Sequence, residues 1–115
     1  MTQRYQAFAG PMLMLIADNG VAITLSSGQN AWVIGRLDPV SNSLPDVDLT
    51  PVDPEYTSSR RHAQLSLNGD QAYLTSLTRT NWTKVNGQRL IADQPTPIQS
   101  GDRLEFGKVA VTFRQ

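Results

Sequence analysis

At 115 residues, 39% of them hydrophobic and 17% charged, the chain has the composition of one folded domain and is too apolar for a disordered segment. Ten basic residues balance ten acidic ones, which excludes a general polyanion binder resting on many Lys/Arg–phosphate contacts but leaves room for a local site for one anion. The absence of cysteine removes disulfides and thiolate metal sites from consideration.

"PMLMLIA", Pro11 to Ala17, is the longest apolar run, and it is far too short to span a bilayer. It suits a buried strand. No charged n-region leads into a signal-type apolar core, so the expectation is a cytoplasmic domain, 1–115, with no membrane insertion. "MLMLIADNGVAITLSS", Met12 to Ser27, reads as a hairpin turning at Asp18-Asn19-Gly20, since Asn-Gly supplies the positive φ that tight turns need. "AWVIGR", Ala31 to Arg36, is a third strand ending at a glycine. Leu37 to Thr57 then breaks the rhythm with four of the seven prolines and five acidic residues, and only Val47 to Leu49 suits a strand there. Loops of this length in compact domains are usually functional. "AQLSLNGDQAYLTSL" is a second hairpin about Asn68-Gly69-Asp70, and "KVNGQRL" turns at Asn86-Gly87. The chain closes on "LEFG" and "VAVTFRQ", in which Val109, Val111 and Phe113 share one face. Breakers recur at the spacing of an all-β sandwich or barrel.

The stretch "SSRRHAQLSL", Ser58 to Leu67, holds the only histidine. Ser59 and His62 are three apart with no G-x-S-x-G elbow, so a hydrolytic triad is not expected and the chain does not read as an enzyme. One histidine without cysteine excludes the usual zinc sets, and Asp46, Asp48, Asp53 and Glu55 lack the spacing of an EF-hand. Those acids read as solvated loop residues; no metal or cofactor is expected. Arg60-Arg61 has neither a basic stripe nor an aromatic platform around it, so nucleic acid is not an expected partner. A single-anion site fits better. Arg36, Ser59, Arg60, Arg79, Thr80 and Asn81 all lie at strand ends that a sandwich could gather at one end, giving guanidinium forks, hydroxyls and an amide around one concavity.

Read together, "IGR" (Ile34–Arg36), "SRRHA" (Ser59–Ala63), "SLTRTNWTKVNGQRL" (Ser76–Leu90) and "SGDRLEFG" (Ser100–Gly107) resemble a forkhead-associated domain. The family pattern is Gly-Arg, then Ser-Arg-x-His, then Asp-Leu-Gly-Ser-x-Asn-Gly-Thr-x-Val-Asn-Gly, then Gly-Asp. Order and spacing agree over most of the chain. "DPVSNSLPDVDLTP" also resembles bacterial members with a long Asp-Pro loop and a short "DVDL" strand. The resemblance implies a sandwich of about eleven mostly antiparallel strands with the binding loops at one end. It implies recognition of phosphothreonine in a partner protein, a Ser/Thr kinase substrate, in signalling or in assembly of a larger complex. Arg36, Ser59, Arg60 and Thr80 would face the phosphate and Asn81 the peptide main chain. Gly35, His62, Asn86 and Gly87 would be structural, with His62 bracing the Ser59 loop and Asn86-Gly87 shaping the loop that carries Thr80. Arg61 reads as solvated. The chain departs from the pattern at Ser76, Thr78, Arg79 and Trp82. Arg79 and Trp82 become candidate peptide contacts, and tryptophan in place of a turn glycine would be strained if that turn kept a positive φ. The altered turn and the Pro-rich loop also motivate an alternative, a phosphate-independent scaffold.

Overall fold

The period-2 alternation of "VAVTFR" becomes the longest strand of one sheet, with Val109, Val111 and Phe113 turned inward and the residues between them half-buried. The computed structural model describes residues 13–42 and 44–115. Eleven strands run in chain order: β1 (Met14–Ala17), β2 (Ala22–Thr24), β3 (Ala31–Gly35), β4 (Val47–Asp48), β5 (Ala63–Asn68), β6 (Gln71–Ser76), β7 (Thr83–Val85), β8 (Gln88–Arg89), β9 (Thr96–Ile98), β10 (Arg103–Phe106) and β11 (Val109–Arg114). One three-residue 3-10 turn, Thr50–Val52, follows β4.

The strands form two sheets, ordered β2-β1-β11-β10-β7-β8 and β4-β3-β5-β6-β9. Every pair is antiparallel except β3 with β4. The all-β sandwich expected from the spacing of breakers is therefore the observed fold. Leu15, Leu104, Phe106, Val111 and Phe113 from one sheet and Ile34, Leu65 and Leu74 from the other are fully buried. Each such side chain contributes roughly 2 kcal/mol of burial free energy. No helix among the described residues is long and apolar enough to cross a membrane.

Three details differ from the sequence reading. β9 was not anticipated, because "TPI" contains Pro97 and shows no alternation. It is tolerated as an edge strand beside β6, where a missing N–H costs least. The first hairpin is shorter at both ends: Val21 is exposed and Leu25 lies beyond β2, while Pro11 and Met12 fall outside the described residues. The acidic loop residues are not simply solvated. Asp46 accepts the Val33 N–H at 2.7 Å, and Asp48 accepts the N–H groups of Leu37 and Thr50. Asp53 is buried at 2% exposure.

The register fixes where the loops go. Ile34 pairs with Ala63 and Ala63 with Ser76, so the end of β3, the start of β5 and the end of β6 lie side by side. In the other sheet Thr83 pairs with Phe106 and Phe106 with Val109. Met14 pairs with Arg114 at the opposite end of that sheet.

Candidate functional site

The ladder of the second sheet continues past its strands and thereby positions the loops. His62 N–H donates to the Ile34 carbonyl and Leu77 N–H to the His62 carbonyl, both at 2.9 Å, and Arg36 N–H donates to the Ser59 carbonyl at 3.1 Å. This close approach requires glycine at 35. A β-carbon there would lie 1.9 Å from the Arg60 carbonyl oxygen.

Beneath the Ser59 loop sits His62, fully buried, with its ring edge-on to Phe106 at 5.6 Å. Its Nδ1 accepts the Ser59 N–H at 3.0 Å, so the ring proton resides on Nε2 and is donated to the Trp82 carbonyl at 3.0 Å. The same carbonyl accepts the Gly107 N–H. Burial lowers the His62 pKa, against smaller upward pulls from the Trp82 carbonyl and the Asp53 charge. The unfolded chain thus binds the proton more readily than the fold, and stability is lost as pH falls through the ordinary imidazole value of about 6.5. Thermal melts should show a falling Tm from pH 7 to pH 5. A His62→Gln variant, less stable at pH 7, should lose most of that slope. An equal slope in both proteins would assign the acid sensitivity to other groups.

A second knot forms around Asp53. Its carboxylate accepts the backbone N–H and hydroxyl of both Thr57 and Ser58, at 2.5–2.9 Å. Burial alone would raise its pKa, but these four donors lower it below the usual carboxylate value. Its contribution is present at neutral pH and lost only in the acid carboxylate range, below the window of His62. The knot presents the Ser58 carbonyl to Arg36 Nε at 3.1 Å and holds Tyr56, at φ 54°, with its ring 5.4 Å from the Arg36 guanidinium carbon.

The loop from β6 to β7 is organised by Thr78. Its Oγ1 accepts the N–H groups of Thr80 and Asn81 and the Ser59 hydroxyl, at 3.2–3.3 Å. Asn81 Nδ2 in turn donates to Ser59 Oγ at 2.7 Å. Ser76, at the position the resemblance gives to aspartate, is buried and bonded to the Thr83 hydroxyl. Trp82 is not among the non-glycine residues with positive φ, so the turn has another shape and carries no such strain. Its side chain is half exposed.

These loops enclose an open cavity of about 800 Å³. Arg36, Ser59, Arg60, Thr80, Asn81 and Trp82 line it together; Arg61, exposed, and Lys108 also reach its wall. Among the described residues no carboxylate lines it, and Arg36 forms no ion pair. Arg60 is tied to Asp38 at 2.8 Å, and the Ser41 hydroxyl together with Arg60 holds the Asp38 pKa down to about 2. Arg79 does not line this cavity: it pairs with Asp93 and lines an adjoining hollow that shares Asn81 with it. Among the described residues no hydrogen bond joins Asn86 or Gly87 to the Thr80 loop. They turn at the other end of β7, where Asn86 bonds Asp102 and the Arg103 N–H. Sequence reasoning missed Tyr56, Asp53 and Thr78. Only Asp53 left a legible signal, an acid followed at four and five residues by the paired donors Thr57-Ser58.

A cationic concavity lined by hydroxyls and an amide suits a dianionic oxyanion. Residues 32–107, more than half of the chain, match the family model described as FHA domain. Protein FraH of Nostoc sp. strain PCC 7120 is 33% identical over 64 residues, which are 56% of this chain and 22% of FraH. The chain thus spans about a fifth of that relative's length. An FHA domain solved in a structural and functional analysis of phosphothreonine-dependent FHA domain interactions superposes with a TM-score of 0.70 at 25% identity, covering 91% of this chain and 97% of that one. The FhaA FHA domain, solved in complex with the intracellular domain of Rv3910, gives 0.68 at 26% identity, covering 89% and 99%.

Proposed function

The chain belongs to the FHA domain family, a family of interaction modules, and from that premise we propose that it binds phosphothreonine in a partner protein, a substrate of a Ser/Thr kinase, as an adaptor in phosphorylation-dependent assembly. The observation that carries the reading is Arg36. Its guanidinium is held by Ser58 and Tyr56, has no carboxylate partner among the described residues, and opens onto a cavity without an acidic wall. A phosphothreonine brings about −1.5 to −2 charges and three acceptor oxygens at neutral pH. Arg36 would supply the fork, the Ser59 and Thr80 hydroxyls two further donors, and Asn81 a contact to the peptide main chain. The Ser59–Asn81 hydrogen bond supports this by holding the two loops in mutual register before any ligand arrives.

Calorimetry with a phosphothreonine peptide library and its unphosphorylated counterpart tests the proposal. Binding of the phosphorylated peptides alone is expected. Equal binding of both sets would favour the phosphate-independent scaffold. Asp38 offers a further check, because it holds Arg60 away from full use by the phosphate and adds a like charge beside it. Asp38→Asn should tighten phosphopeptide binding by about threefold, the scale of an exposed ion pair. Unchanged or weaker binding would show that Arg60 takes no part.

A further inference from the structure

Beside the phosphate cavity, Trp82 presents an exposed ring flanked by two cations. Lys84 Nζ lies 5.3 Å and the Arg89 guanidinium carbon 5.5 Å from its centroid. Lys84 and Arg89 are direct cross-strand partners in the β7–β8 ladder. Like charges placed opposite each other destabilise a sheet, so this pairing is a local cost that the ring only partly offsets. Glu105 stands across the ladder on the other side of Lys84, yet neither Lys84 nor Arg89 forms an ion pair among the described residues. The ledge is continuous with the cavity. Trp82 and Asn81 wall the cavity, and Asn81 also walls the adjoining hollow that Arg89 lines.

We infer that Trp82, Lys84 and Arg89 form a specificity ledge for acidic side chains flanking the phosphothreonine in the same peptide. The inference rests on the phosphothreonine reading and names the class of sequence that reading would select. Charge complementarity commits the occupant: two cations without a close ion pair, beside a site for a dianion, disfavour basic flanks and attract Asp or Glu. The ring gives the flanking backbone a flat apolar support and keeps the two cations at fixed height above the surface.

The test uses two phosphothreonine peptides, one flanked on both sides by aspartates and one by alanines, titrated at moderate salt. Wild type should bind the aspartate peptide about fivefold tighter, the yield of two exposed ion pairs. Lys84→Ala with Arg89→Ala should erase that gain, so that this variant binds the aspartate and alanine peptides equally. Lys84→Glu with Arg89→Glu should invert the preference. Binding of the alanine peptide with no gain for aspartate, or a gain that survives the double alanine variant, overturns the ledge alone. Binding of neither peptide overturns both readings.

Discussion

Arg36→Ala is expected to weaken phosphothreonine-peptide binding by about a hundredfold or more. A hydrogen bond to a charged group contributes about 1.5–3 kcal/mol, and the guanidinium can place two on one phosphate. The fold should survive, because the Arg36 backbone N–H keeps its bond to the Ser59 carbonyl and only the Nε contact with Ser58 and the Tyr56 stack are lost. Stability should drop by about 1 kcal/mol, the scale of one net hydrogen bond. Arg36→Lys separates charge from geometry: the ammonium keeps the Coulomb attraction but loses the fork, so an intermediate loss of about tenfold is expected. Calorimetry alongside a thermal melt reads both quantities. Alanine-variant affinity within threefold of wild type would remove Arg36 from the site.

Gly35→Ala should be strongly destabilising, because an added methyl there comes closer to backbone than at any other described glycine. The added carbon would meet the Arg60 carbonyl oxygen at 1.9 Å and its carbon at 2.6 Å, and the Ser59 carbonyl oxygen at 3.1 Å. All three atoms are backbone, so no side chain can swing aside. Relief requires β3 and the Ser59–Arg60 segment to part, which breaks the Arg36–Ser59 hydrogen bond and strains that between His62 and Ile34. Overpacking of this kind costs about 3 kcal/mol, or a Tm lowered by roughly 15 °C for a domain of this size. Phosphopeptide affinity should fall with it even well below the melting temperature, since the displaced segment carries the Ser59 hydroxyl. A melt within 3 °C of wild type, about half the shift of a 1 kcal/mol change, would mean the loop has room that the geometry denies.

Most of the architecture was legible because its signals are local. Asn-Gly turns, alternating apolar positions and a glycine before Arg36 follow from backbone sterics and two-fold periodicity, which survive translation into sequence. What was not legible depends on partners far along the chain. Asp53 is the exception, since its donors Thr57–Ser58 follow closely and only its burial was hidden. Arg60 was assigned to the phosphate by its place beside Ser59, whereas its ion partner Asp38 lies twenty-two residues earlier in the long loop. At position 82 the resemblance puts a glycine, and a tryptophan there would be strained if the turn kept a positive φ. Thr78 changes that, since its hydroxyl caps the turn from within and lets a tryptophan follow with ordinary φ. The arginine at 79, a candidate peptide contact in the sequence, is paired with Asp93.

The carbonyl of Trp82 receives both the His62 ring proton and the Gly107 N–H, and so ties one sheet to the other directly below the ligand cavity. That brace belongs to a peptide group, which every amino acid possesses, while the ring of the same residue points to solvent. Structural duty and the proposed recognition duty therefore fall to different atoms of one residue. On that proposal position 82 can be rewritten for a new class of peptide without removing this brace, which makes it the natural randomisation site for anyone turning this domain into a reagent of chosen specificity.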